Sequence, residues 1–227
     1  MVLGSTPLHY KIIRLSKEPR IVKDNSVIRC EIFDSKCWAW RGTQRSLYLP
    51  CPETTVRSHP AIRAGKSVHW LTYDDNVVSF HEADESFDKF SLPQPVCKSF
   101  IESAVRKSKK LVNYKGTLGL TCLREQDNVI RDSVMELWII EDYNTYRWTV
   151  EMSVSISGLE SSCKFPYPAG FYNAGTAFFK TTDGAVFYRL GDRSIRKVEL
   201  GMDMIGKCEF FQFRSDLEPV DLKGGRG

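Results

Sequence analysis

The sequence predicts an all-β fold made of about four small sheets, and three observations support that class. Short apolar runs rich in Val, Ile, Phe, Tyr and Trp recur along the 227 residues, bounded by Gly, Pro, Asp and Asn. Helical periodicity is nearly absent. A unit of apolar strand, acidic turn and aromatic residue repeats along the chain. With 42% hydrophobic residues, the chain also has enough apolar surface to fold.

Twelve runs have the composition of strands. In chain order they are 9–15, 27–33, 39–41, 67–73, 77–81, 89–92, 117–123, 135–141, 147–152, 176–180, 185–190 and 195–200. Many are apolar on both faces, as in Leu137-Trp138-Ile139-Ile140, and this pattern favours strands that lie between two neighbouring sheets. The one helix-like stretch is 97–111, and it contains turn residues.

The repeating unit indicates the domain architecture. It occurs at 30–38, 78–87 and 137–148, and in a weaker form at 186–195. Steps of 49, 61 and 47 residues separate the anchors Trp38, Phe87, Trp148 and Ile195. Blades of β-propellers repeat every 40–50 residues or so, about the length of two of these steps. An insertion over 93–114 explains the longer middle step.

The repeating unit has a physical reason. Aspartate accepts hydrogen bonds from a tight turn, and the next strand returns an aromatic side chain to the space between sheets. One sheet cannot bury both of its apolar faces alone, whereas sheets stacked around an axis bury both. The sequence therefore predicts a Kelch-like β-propeller, or a partial propeller, of about four blades. Trp38, Trp70, Trp138 and Trp148 are predicted to pack between sheets, and Trp40 to be partly exposed at a partner surface.

A search for catalytic and metal-binding patterns predicts neither. The four histidines show no metal-ligand spacing, and His69 and His81 are predicted to be hydrogen-bonded core residues. Asp84, Glu85 and Asp88 are interpreted as solvated turn residues rather than an acid–base pair. No nucleophile motif and no phosphate-binding glycine loop occurs. The chain is accordingly predicted to be no enzyme and to need no cofactor.

Charge, cysteine content and hydropathy indicate the compartment and the class of partner. The net charge of +4 makes nucleic-acid binding unlikely, because dedicated binders are strongly basic. No run of 18 apolar residues occurs, so no membrane span is expected. The seven cysteines are odd in number and scattered, which favours reduced thiols and a cytoplasmic or nuclear location.

One basic run is the candidate partner-binding loop: Arg106, Lys107, Lys109 and Lys110. It lies in the longest irregular stretch of the chain, and loops can vary while strands are committed to packing. Three interpretations stay open for it, namely a solvated loop, a nuclear import signal and a contact for an acidic partner.

Several segments occur in an order typical of one family. They are 10–15, 31–34 followed by Trp38, 65–71, 78–81 through 87–93, 116–120, and 135–140 to 148–149. In this order the chain resembles the F-box-associated domain of the large plant F-box protein family, over roughly residues 8 to 200. The resemblance implies a protein-interaction module similar to the substrate receptor of an SCF-type ubiquitin ligase, with a protein destined for ubiquitylation as its partner.

The chain departs from the family pattern at its N-terminus. No F-box-like sequence occurs, and the first β segments of the family are missing, so binding to the ligase adaptor is expected only if an upstream F-box exists. The expected organisation is a lead-in over 1–8, a propeller-like domain over 9–213 and a flexible tail over 214–227. Two alternatives stay open, a β-propeller enzyme acting on a carbohydrate or small molecule and an inactive truncated family member.

Overall fold

The computed structural model describes sixteen strands and one short helix. The described residues are 9–22, 25–50, 60–97, 109–125, 133–156, 159, 166–173, 175–182 and 184–200. The strands form four antiparallel sheets of four strands each. This confirms the all-β class and the number of sheets that the repeat predicts. The predicted N-terminal lead-in and C-terminal tail lie outside the described residues.

The four sheets follow one another along the chain. Sheet 1 contains β1 (Lys11–Val22), β2 (Asn25–Asp34), β3 (Ala39–Gly42) and β4 (Leu47–Pro50). Sheet 2 contains β5 (Ile62–Ala64), β6 (Ser67–Leu71), β7 (Asn76–His81) and β8 (Phe87–Ser91), followed by the one-turn helix α1 (Gln94–Cys97). Sheet 3 contains β9 (Lys110–Tyr114), β10 (Thr117–Glu125), β11 (Ser133–Asp142) and β12 (Arg147–Ser155). Sheet 4 contains β13 (Tyr167–Asn173), β14 (Thr176–Lys180), β15 (Gly184–Arg189) and β16 (Ile195–Glu199).

Sheets 2, 3 and 4 are simple meanders in which each strand pairs with the next. Sheet 1 differs, because β3 and β4 pair with successive halves of β2. The first strands of sheets 2, 3 and 4 contact one another in succession and are therefore the innermost strands. Sequence analysis missed all three of them. It also placed a helix at 97–111, which is wrong at its end, since Lys110 and Leu111 begin β9.

Three apolar cores lie between consecutive sheets. Sheets 1 and 2 bury Ile28, Cys30, Ile32, Leu49, Val68, Trp70, Val78 and Phe80. Sheets 2 and 3 bury Leu71, Val77, Phe90, Leu111, Leu118, Leu120 and Ile140. Sheets 3 and 4 bury Val112, Tyr114, Met135, Leu137, Phe171, Phe179 and Tyr188. Each fully buried large side chain contributes about 1.5–3 kcal/mol, so these cores are the main stabilising term.

Sheet 2 shows why its strands are apolar on both faces. On β6 and β7, Val68 and Val78 pack against sheet 1, whereas their neighbours Leu71 and Val77 pack against sheet 3. Side chains alternate between the two faces of a strand, so a sheet between two others must be apolar at nearly every position. The continuous apolar runs of the sequence therefore identify the inner sheets of the stack.

A four-residue turn joins the third and fourth strands of every sheet. In sheet 1 the Asp34 Oδ1 accepts a hydrogen bond from the Lys36 N–H at 2.8 Å. In sheet 3 Asp142 does the same with the Asn144 N–H at 2.9 Å. These bonds confirm that an aspartate caps the turn, and they lower the pKa of both carboxyl groups.

Sheets 2 and 4 place the aspartate inside the turn instead. Asp84 accepts hydrogen bonds from the N–H and O–H of Ser86, and Asp192 accepts the same pair from Ser194. The bonds lower the pKa of Asp84 and of Asp192. In all four sheets the last turn residue has φ between 50° and 57°, and it is Trp38, Glu85, Tyr146 or Arg193. The turn is therefore a structural repeat with two capping patterns.

The strand pairing corrects one anchor of the repeat. Phe87, Trp148 and Ile195 pair across the sheet with Phe80, Ile140 and Tyr188. In sheet 1 the same position belongs to Trp40, which pairs with Phe33, because Trp38 is still in the turn. The corrected steps from Trp40 are 47, 61 and 47 residues, so the two shorter steps become equal.

The tryptophans divide into packed and exposed residues. Trp70 is buried between sheets 1 and 2, and Trp138 and Trp148 pack against the core of sheets 2 and 3. The prediction that Trp38 is a core residue is wrong, because its side chain is 74% exposed. Its left-handed turn conformation, φ 52°, removes it from the strand alternation. Trp40 is 44% exposed, as expected from its sequence position.

We expect Trp70→Ala to lower the free energy of unfolding by about 3–5 kcal/mol, because it empties a buried site between two sheets. The matched variant Trp38→Ala removes a largely exposed ring and is expected to change it by less than about 1 kcal/mol. Urea unfolding followed by circular dichroism measures both. Equal losses would contradict the assignment of Trp70 to the core.

A second prediction concerns acid stability, which depends on His69. Its side chain is 1% exposed, its Nδ1 lies 2.6 Å from the Ser79 Oγ, and burial lowers its pKa from 6.5 to about 4. The unfolded chain therefore binds a proton at this residue below pH 6.5 that the folded chain binds only near pH 4. Stability should be complete above pH 6.5 and fall as the pH drops toward 4, by roughly 3 kcal/mol from this group.

The variant His69→Phe tests this dependence. It removes the titrating group, so its free energy of unfolding should fall less than that of the wild type between pH 7 and pH 4.5. Urea unfolding at both pH values measures the difference. An unchanged pH dependence would show that another group causes the acid sensitivity.

Candidate protein-binding surfaces

The two ends of the sheets carry different kinds of connection. The turns between first and second strands, and between third and fourth strands, contain few residues and lie at one end, which we call the turn end. The segments that join one sheet to the next leave from the opposite end, which we call the connection end; they span 51–61, 92–109 and 156–166. Loops that vary in length are where binding residues concentrate, so the connection end is one candidate surface.

Contacts between neighbouring sheets align the turn ends. The Gly65 N–H donates to the Gly116 O at 3.0 Å, joining the first turns of sheets 2 and 3. Arg41 of β3 forms a bidentate ion pair with Glu85 in a turn of sheet 2. The Tyr146 O–H of sheet 3 donates to Asp88 of sheet 2 at 2.6 Å. The four-residue turns of sheets 1, 2 and 3 therefore lie side by side.

The predicted basic loop is only partly within the described residues. Arg106 and Lys107 lie outside them. Lys109 and Lys110 are 4% and 5% exposed, whereas sequence analysis placed them in a solvated run. The Lys109 Nζ lies 2.8 Å from the Asp75 Oδ2, and both side chains are buried, so this ion pair ties the start of sheet 3 to a turn of sheet 2. A role of the run in partner binding stays a prediction.

Sequence analysis did not identify this ion pair. It interpreted Asp74-Asp75-Asn76 as turn residues, and the structure confirms that Thr72, Asp74 and Asn76 hydrogen-bond one another there. Asp75, at φ 58°, turns inward instead. Its partner follows 34 positions later, and no local pattern connects residues so far apart.

An aromatic cluster covers one face of sheet 1. Phe33 lies 5.5 Å from Trp40, 5.8 Å from Trp38 and 6.0 Å from Tyr10, measured between ring centroids. The Arg14 guanidinium lies 4.6 Å from the centre of the Trp40 ring. Partly exposed tryptophan, tyrosine and arginine are the residues most often found at the energetic centre of protein interfaces, so this face is a second candidate surface. We call it the aromatic face.

A serine, a histidine and an aspartate meet at the turn end of sheet 2. The Ser67 Oγ lies 2.8 Å from the His81 Nδ1, and the His81 Nε2 lies 2.9 Å from the Asp88 Oδ2. Sequence analysis found no base beside a serine, because residues 14 positions apart become neighbours only when β6 pairs with β7. Since Tyr146 of sheet 3 donates to the same aspartate, the group forms a polar contact between two sheets.

The titration behaviour of this region gives no proton donor near neutral pH. Hydrogen bonds lower the pKa of Asp84, Glu85 and Asp88, from Ser86, Arg41 and Tyr146 respectively. A general acid would need a raised pKa. The described residues hold no group of three or more His, Cys, Asp or Glu side chains that suits a metal ion. None of the described helical residues forms a segment long and apolar enough to cross a bilayer.

Comparison with known proteins gives the family. The family model of the F-box associated beta propeller domain matches residues 7–207. The chain belongs to this family. Among solved structures, the F-box associated domain is similar to BamB from Moraxella catarrhalis, with a TM-score of 0.31, 10% identity and coverage of 76% of this chain and 60% of that one. No curated protein sequence matches it.

Family membership confirms the propeller class that the repeat predicts. The domain comprises four sheets in order, whose inner strands follow one another around an axis. A family of propeller domains associated with F-boxes is one of protein interaction, which is the general function of this chain. No F-box is found in it, as the sequence analysis expects.

We expect Lys109→Ala to lower the free energy of unfolding by about 3–5 kcal/mol, because it leaves Asp75 buried without its cation. The control Lys36→Ala removes an exposed lysine from a turn and is expected to change it by less than about 0.5 kcal/mol. Urea unfolding measures both variants. Equal stability of the two would contradict a structural role for Lys109.

Proposed function

We propose that this F-box associated propeller recognises the substrate protein of an SCF-type ubiquitin ligase. The observation that carries the proposal is the family match over residues 7–207, since the family is defined by association with the F-box. An F-box on the same protein would connect the propeller to the ligase adaptor. In this arrangement the propeller selects the protein to be ubiquitylated and performs no chemistry itself.

The connection end supports the location of the binding surface. The turn end is occupied by contacts that hold neighbouring sheets together, such as those of Arg41 and Tyr146. The connection end carries the three longest links between described strands, over 51–61, 92–109 and 156–166. Arg106 and Lys107 belong to the longest of them, so we propose that they contact an acidic segment of the partner.

The described cysteines support a reducing compartment. Cys30, Cys37 and Cys122 are free thiols, and burial raises the pKa of Cys30 to about 11, which keeps it in the unreactive thiol form. We therefore place the protein in the cytoplasm or the nucleus, where thiols stay reduced.

The binding role of the basic run is tested by capture from cell extract. The tagged full-length chain is compared with Arg106→Ser/Lys107→Ser and with the control Lys36→Ser/Lys66→Ser, which removes the same charge from exposed turn-end lysines. We expect the first double variant to lose about tenfold or more of specific partners in quantitative mass spectrometry, and the control to keep them.

The ligase role has a separate readout. Partners captured by the wild type should gain ubiquitin when the protein is present together with the ligase adaptor and cullin, and should not when the Arg106→Ser/Lys107→Ser variant replaces it. Loss of the same partners from both double variants would remove the basic run from the account. Capture without any gain of ubiquitin would refute the ligase role and leave the binding role intact.

A further inference from the structure

The apolar pair beside each four-residue turn has a constant direction in sheets 2, 3 and 4. The pairs are Phe80 with Phe87, Ile140 with Trp148, and Tyr188 with Ile195. The first pair packs into the core shared with sheet 1, the second into the core shared with sheet 2, and the third into the core shared with sheet 3. Each pair therefore covers the face that a sheet turns toward the preceding sheet.

Sheet 1 has the same pair, but no described sheet precedes it. Phe33 pairs with Trp40 at the equivalent register. The neighbouring Ile32 and Cys30 belong to the core with sheet 2, so Phe33 and Trp40 lie on the opposite face. Trp40 is 44% exposed there. The aromatic face is thus built like an inter-sheet surface and has one side open.

Sheet 4 leaves the complementary face open. Its core with sheet 3 takes Phe179 and Val186, so Phe178 and Phe187, which are 5.0 Å apart, lie on the other side. Val198 on the same side is 40% exposed. A shallow open pocket of about 510 Å³ lies along this side, with Phe187, Arg196 and Val198 in its lining. Sheets 1, 2 and 3 cover the corresponding face with the sheet that follows.

The charges on the two open faces are complementary. Arg196 lies on the open face of sheet 4 and is exposed. The aromatic face offers the carboxylate of Glu31, and its Trp40 ring already lies against a guanidinium, that of Arg14 at 4.6 Å. A cation from a docked sheet would meet a ring and a carboxylate, both of which bind arginine.

We propose that the two open faces bind each other between two copies of this chain. Sheet 4 of one copy packs on the aromatic face of the other, and the reverse contact closes a ring of eight sheets. Propellers form rings of about 4–8 sheets, and a head-to-tail contact that closes is a stable form of oligomer. Both faces are exposed in one chain, so the partner face comes from a second copy.

The mass of the full-length chain in solution tests the dimer. Light scattering during gel filtration should give twice 26.0 kDa for the wild type. Trp40→Glu and Val198→Glu each place a charge in the contact and should give the mass of one chain. The control Val150→Glu changes an exposed valine of β12, away from both open faces, and should keep the dimer. Unaltered thermal unfolding of the variants shows that they are folded.

Mixing the two variants tests the head-to-tail geometry. The Trp40→Glu chain has an intact sheet 4, and the Val198→Glu chain has an intact aromatic face, so the mixture can form one of the two contacts. A species of two chains should appear on mixing. A wild type that stays monomeric, a dimer that Trp40→Glu leaves intact, or a mixture that stays monomeric would each overturn the proposal. None of these results bears on the basic run, which lies on another connection.

Discussion

Every part of this propeller depends on the burial of both faces of each sheet against its neighbours. The cores between sheets 1 and 2, 2 and 3, and 3 and 4 contain nearly all the buried apolar side chains of the described residues. Polar contacts surround these cores and align the sheets. Arg41 with Glu85, Tyr146 with Asp88 and Lys109 with Asp75 each join one sheet to the next. Apolar burial supplies the energy, and these contacts fix which turns meet.

This arrangement separates structure from recognition. The turn end repeats one geometry, with aspartate caps and a left-handed fourth residue, and its side chains are committed to neighbouring sheets. The connection end holds the segments whose lengths differ from sheet to sheet. Replacement of a connection leaves the cores unchanged, so sequences of this family can change partners without changing the fold.

The sequence predicted those features that depend on neighbours along the chain. The apolar second and third strands, the aspartate-capped turns and the repeat of about four units were all recognisable. The inner strands β5, β9 and β13 were not, because they are short or carry lysine, proline and glycine, and are stabilised by contacts with other sheets. The burial of Lys109 and the meeting of Ser67 with His81 also depend on pairing between distant residues. Trp38 was misplaced by two positions, since the sequence does not show where the turn ends.

Hydrogen exchange of the native protein, followed by mass spectrometry, tests the central role of inter-sheet burial most directly. Peptides from β7 and β10, which are covered on both faces, should exchange only through global unfolding, so their opening free energy should equal that measured with urea. Peptides from β16, whose residues are largely exposed, should exchange through local opening at a lower free energy. Equal protection of β16 and β7, or opening of sheet 2 without sheet 3, would contradict the account.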